Sequence, residues 1–138
     1  MAKVTLHRVN DAYHFEARNA SNAVMHLDAT PDIGGQNKGL RPVEALVASL
    51  GGCSSIDVLL ILKKQKQHID SFDVEMEYER AEDQEPKVIK HINLKFIIKG
   101  KVDKDKLERA IQLSLDKYCT VAKMIEKTAK ITYSYQIN

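Results

Sequence analysis

The sequence predicts an α+β domain in which antiparallel sheets pack around one long central helix. Three observations carry that prediction. Runs of alternating polar and apolar residues occur at the start and in the middle of the chain. A long, nearly continuous apolar stretch separates them. The resulting order (strands, long helix, strands, helices, strand) suggests an α+β domain with antiparallel sheet.

The N-terminal part supplies "KVTLHRV", "YHFEAR" and "AVMHLDA", short strand-like runs separated by the turn-like "NDA" and "NASN". "TPDIGGQNKGLRP" then gathers glycine, proline and asparagine into a loop. The long helix is expected to begin near Pro42, a residue suited to a first helical turn, and to run to about Lys66. The lysines of "KKQKQH" suit its C-terminus, where positive charge is favoured. "SFDVEMEYER" and "HINLKFIIKG" alternate with period two and read as strands, joined by the charged linker "AEDQEPK". Asp103 is placed to cap a second helix, in which Leu107, Ala110, Ile111, Ser114, Leu115 and Tyr118 fall at helical spacing. A further helical piece spans roughly Thr120 to Lys127, and "KITYSYQI" closes the chain as a strand.

The composition bounds the function. With 138 residues, 43% hydrophobic and 29% charged, the chain is the size and kind of one globular domain, positions 1–138. A net charge of +2, no tryptophan, and no basic block interleaved with aromatics leave no footprint for nucleic acid. The N-terminus lacks a signal-peptide run, so a cytoplasmic location is the default expectation. Residues 43–62 approach membrane-spanning length but hold Glu44 and Asp57, each costing about 3 kcal/mol at bilayer depth. A buried core helix is the expectation instead, and no membrane partner. Apolar residues surround most of its circumference, which implies burial between sheets or in a dimer.

Two cysteines, Cys53 and Cys119, lie far apart in the chain. Counting alone favours two inert buried thiols over a reactive pair. No CxxC, zinc-ligand spacing or HExxH helix is present, so no metal is expected. Cys53 nevertheless has unusual surroundings. Gly51 and Gly52 precede it and loosen the helix, allowing either close packing or a bend. Asp57 follows one turn later on the same face, where its charge would raise a thiol pKa. Glu44 stands about 180° around a straight helix and about 13 Å along it from Cys53. The histidines His7, His14, His26, His68 and His91 are scattered and read as surface or edge residues.

The loop glycines, then "RPVEALVASLGGCSSIDVLLIL", then "SLDKYCTVAKMI" resemble the OsmC/Ohr superfamily, with the glycine-cysteine stretch most similar to its YhfA-like branch. The resemblance implies an OsmC-like fold, two chains intertwined as a homodimer, and an active site at the subunit boundary. It implies a thiol-dependent peroxidase of the oxidative and osmotic stress response. Organic hydroperoxides would be its substrates and a thiol or dithiol its reductant, with no bound cofactor and no metal. Cys53 matches the attacking cysteine and Cys119 the second one. Glu44 is the nearest acid to the family's glutamate position, which Val43 occupies here, and Arg18 and Arg41 are the candidates for the arginine that supports the thiolate. Thr120 stands where a proline usually follows the second cysteine. The altered glutamate position keeps an alternative open: a thiol or small-ligand-binding protein on the same scaffold, with little or no peroxidase activity.

Overall fold

A computed structural model describes residues 1–138 of the chain. By contact density it divides into two compact units, Met1–Leu46 and Val47–Asn138. The first holds three short strands, β1 (Thr5–Arg8), β2 (Phe15–Arg18) and β3 (Val24–Leu27), paired antiparallel in that order. The predicted glycine-rich loop follows and is ordered by one carboxylate. Buried Asp28 accepts hydrogen bonds from the backbone N–H groups of Ala29 at 2.8 Å and of Gln36 and Lys38 at 3.1 Å each. Burial works to raise the Asp28 pKa. The N–H groups of Lys38, Gln36 and Ala29 outweigh it and hold the carboxyl below its ordinary value.

Helix α1 (Pro42–Lys64) begins where proline predicted. In the second unit its residues Leu50, Ser54, Val58 and Leu62 are fully buried and recur every fourth position, so they form one inward stripe. By length and composition α1 would pass as a membrane span, yet that stripe, with a serine fully inside the protein, is that of a core helix. The apolar circumference is only partly covered within the chain: Ile56, Leu59 and Leu60 are exposed. The helix ends on a backbone motif rather than on its lysines alone. Lys66 adopts a left-handed φ of 58°, its N–H bonds to Lys63 O, and the Gln67 N–H reaches Leu62 O.

β4 (His68–Arg80) and β5 (Ile89–Lys101) form a long antiparallel hairpin. β4 thus starts earlier than its alternation suggests, absorbing "HID". Ile92, Leu94, Phe96 and Ile98 of β5 are fully buried on one face. On the other, Glu75 and Glu77 of β4 sit opposite Lys95 and Asn93. Helix α2 (Lys104–Leu113) is capped as predicted, with the Asp103 side chain accepting from the Lys106 N–H at 3.0 Å. A π-helical turn (Ser114–Tyr118), helix α3 (Thr120–Ile125) and strand β6 (Lys130–Ile137) complete the chain.

β6 pairs parallel with β5, which corrects the expectation of purely antiparallel sheets. The helices between the two strands carry the chain back along the sheet before β6 begins, as a crossover requires. The fold class itself stands: α+β, with two three-stranded sheets and three α-helices.

The two glycines before Cys53 differ in purpose. A Cβ on Gly51 would lie 2.5 Å from Met76 Sδ of β4, whereas one on Gly52 would meet nothing within 4 Å. Gly51 therefore admits the β4 side chain against the helix backbone, and α1 runs unbroken through both positions. Gly51→Val is expected to cost about 1–3 kcal/mol through overpacking. Gly52→Ala is expected to gain up to about 1 kcal/mol from helix propensity. Urea unfolding of the reduced protein distinguishes them, and equal effects at the two positions would refute this assignment.

Candidate active site

One helical turn separates Cys53 from Asp57, which puts both side chains on the same face of α1, as the spacing predicts. Cys119 arrives from the other side, at the junction between the π turn and α3. The Sγ atoms of Cys53 and Cys119 and a carboxylate oxygen of Asp57 all lie within 4.8 Å of one another. Both cysteines are free; Cys53 is half-buried and Cys119 fully buried.

Local backbone geometry explains the arrival of Cys119. Its N–H donates to Ser114 O at 2.7 Å, closing the wider π turn. It then takes an extended conformation (φ −77°, ψ 104°) as the N-cap of α3, where its Sγ accepts the Ala122 N–H at 3.3 Å. A cysteine thus stands in for the usual serine or aspartate cap.

The π turn also brings in Ser114, which the sequence reading placed at helical spacing and gave no role. Fully buried, its Oγ lies 2.9 Å from Asp57 Oδ2 and 3.0 Å from the Oγ of Ser54, also fully buried. A hydroxyl carries one proton and a carboxylate only accepts. Ser114 therefore donates to Asp57, and the Ser54 hydroxyl is left to donate to Ser114. The signal was present in the sequence as two serines at otherwise apolar positions of two helices. Pairing them required the tertiary structure.

Electrostatics separates the two sulfurs. Burial pushes the Cys119 thiol up to about 11, with the neighbouring Cys53 and Asp57 adding to the rise against the opposing Ala122 N–H. Cys119 is consequently a neutral thiol at physiological pH. Beside Asp57 opens a groove of about 510 Å³, lined also by Leu60, Ile61, Lys64, Gln65, Leu113 and Tyr118. Tyr118, which the sequence places at helical spacing, lines this groove and is half exposed.

The remaining sequence candidates are engaged locally. Glu44 Oε1 accepts the Arg41 backbone N–H at 2.8 Å, the reciprocal half of a capping box at the start of α1. The Arg41 Nη2 donates to Asn37 Oδ1 at 2.9 Å, and Arg18 Nη2 pairs with Glu16 Oε2 at 2.9 Å.

Comparison with known proteins agrees with the resemblance read from the sequence. The family described as OsmC-like protein matches residues 35–134. Protein YhfA of Escherichia coli K12 is 43% identical over 102 residues, covering 73% of this chain and 75% of its own length. A hypothetical protein from Aquifex aeolicus superposes with a TM-score of 0.84 at 30% identity, covering all of this chain and 96% of that one. An organic hydroperoxide resistance protein from Legionella pneumophila shares the fold alone, with a TM-score of 0.70 at 14% identity over 99% and 96% of the two chains.

The raised Cys119 pKa makes a pH prediction. The folded state keeps Cys119 protonated where an unfolded thiol already ionises. The folded protein is therefore at full stability below about pH 9 and loses it as pH rises toward about 11. Relative to Cys119→Ala, the reduced wild type should lose about 2 kcal/mol across that window. Parallel pH profiles of the two proteins would contradict the assignment.

Proposed function

The chain belongs to the OsmC-like protein family, and on that premise we propose that it reduces organic hydroperoxides through a two-cysteine cycle. The observation that carries this reading is the approach of a half-buried Cys53 and a fully buried Cys119 to within 4.8 Å. In the first step the Cys53 thiolate attacks the terminal peroxide oxygen and the O–O bond breaks. The alkoxide leaves as alcohol after taking a proton, and Cys53 becomes a sulfenic acid. Cys119 then attacks that sulfur as its own proton is lost, water leaves, and a disulfide forms. An external thiol or dithiol supplies two electrons and two protons to restore the pair.

The division of labour follows accessibility and charge. Cys53 meets solvent and substrate, whereas Cys119 is shielded and held protonated until a sulfenic acid forms beside it. The apolar groove next to Asp57 suits the organic part of a hydroperoxide. Roles for Arg18 or Arg41 in supporting the thiolate, and for Glu44 in holding that arginine, belong to this proposal on the strength of the resemblance alone. So do a homodimer, to which the exposed Ile56, Leu59 and Leu60 of α1 lend an apolar face, a place in the stress response, and a cytoplasmic setting.

A second reading is favoured by one observation. Asp57 lies beside both sulfurs, and its carboxylate adds to the rise that burial gives the Cys119 thiol. A thiol or small-ligand-binding protein with little turnover would tolerate that charge better than a peroxidase does.

Free-thiol titration separates the readings. One equivalent of cumene hydroperoxide should consume both thiols of the reduced chain together. Cys53→Ser should abolish peroxide consumption, and Cys119→Ser should allow one turnover that stops at the sulfenic acid. Thiols that survive minutes of exposure would leave the binding reading in place.

A further inference from the structure

We propose that the reduced chain captures one zinc-class ion through Cys53 Sγ, Cys119 Sγ and the carboxylate of Asp57. This inference stands apart from peroxide turnover, since it asks only that both thiols be reduced.

The starting point is Asp57. The proposed cycle gives it no task. Yet it is half-buried, and the fully buried Ser114 holds it at 2.9 Å. Two sulfurs and a carboxylate oxygen converging on one point are a donor set for a borderline-soft cation. All three atoms lie within 4.8 Å of one another. Tetrahedral zinc, with Zn–S near 2.3 Å and Zn–O near 2.0–2.2 Å, needs neighbouring ligand atoms about 3.4–3.8 Å apart. The adjustment required is therefore at most about 1.4 Å, within reach of side-chain rotation at Cys53 and Asp57.

The supporting groups fit the same reading. Ser114 Oγ occupies Asp57 Oδ2 and leaves Oδ1 free, and the Ala122 N–H donates to the Cys119 sulfur at 3.3 Å. Hydrogen bonds of this kind, one step behind the ligands, fix their orientation and steady thiolate charge. Cys53 and Asp57 are both half-buried, so an ion has a way in and a fourth position remains for water. The ligands come from α1 and from the start of α3, which is why no short ligand spacing in the sequence announces them.

Binding replaces the two thiol protons with the ion, so capture releases protons. Two-electron oxidation of the pair to a disulfide removes both thiolates and must expel the ion. A metal-loaded chain therefore has both sulfurs occupied, and an oxidised chain has none to offer.

The test titrates zinc into the reduced full chain, anaerobically, against a chromophoric chelator, with cobalt(II) as a spectroscopic probe. One ion per chain should bind, with about two protons released. Cobalt should show tetrahedral d–d bands together with thiolate charge transfer. Cys53→Ser should abolish binding or roughly halve the thiolate charge-transfer intensity, and Asp57→Asn should weaken affinity about 10–100-fold while circular dichroism stays unchanged. Oxidation by an azo dithiol oxidant, which takes two electrons from the metal-bound sulfur pair and two protons from solvent to become a hydrazine, should release the ion. Hydroperoxide is not needed for that arm, so failure of peroxide turnover and failure of metal capture read out separately. No binding at micromolar zinc, a cobalt spectrum without sulfur charge transfer, or undiminished affinity in Cys53→Ser would overturn the proposal.

Discussion

The hydrogen bond from Ser114 to Asp57 is the constraint around which the second unit is arranged. It joins a hydroxyl on the π turn to a carboxylate on α1, with the Ser54 hydroxyl behind it, between helices whose buried residues include Leu50, Val58, Leu107 and Ile111. A buried polar group left unpaired there would cost about 1–3 kcal/mol, so the three side chains are held in register. That register places Cys119 opposite Cys53. The Cys119 N–H is bound to the same residue, Ser114, whose side chain reaches Asp57. One serine thus couples the backbone that carries the second sulfur to the helix that carries the first.

Around this contact the rest of the unit follows simple packing demands. β5 buries Ile92, Leu94, Phe96 and Ile98 on one face, and Gly51 lets Met76 of β4 approach the α1 backbone closely two residues before Cys53. The π turn is the one irregularity in the helical crossover. It widens the backbone by a residue where Ser114 must point inward and ends with Cys119 as a cap, so the irregular geometry sits at the proposed chemistry. The same crossover forces β6 parallel to β5.

Much of this was legible in the residues. Pro42 marked the start of α1, Asp103 capped α2, and period-two alternation located β4 and β5, because each of these signals acts within a few residues of itself. The shared face of Cys53 and Asp57 followed from helical spacing. The approach of Cys119 did not, since nothing local relates two distant segments of a chain; the resemblance alone supplied it. The parallel β6 was missed for the same reason. Glu44 shows a subtler limit. An acid at the third helical position reads both as a catalytic candidate and as a cap. In the chain it accepts the Arg41 N–H, a contact the sequence hides because Arg41 is not one of the usual capping residues.

Two sulfurs of unequal exposure, with a carboxylate beside them, support both proposals for this site. Oxidation would bond the sulfurs to each other and a cation would bridge them as separate thiolates, so the redox state of the pair selects between the two. The account depends most on Cys53 and Cys119 of one chain reacting with each other. Non-reducing peptide mapping by mass spectrometry, after brief treatment of the folded protein with an organic hydroperoxide, tests that directly. The account predicts a single cross-linked peptide joining Cys53 to Cys119 within one chain. Overoxidised Cys53 beside an intact Cys119 thiol, or links only between chains, would contradict it.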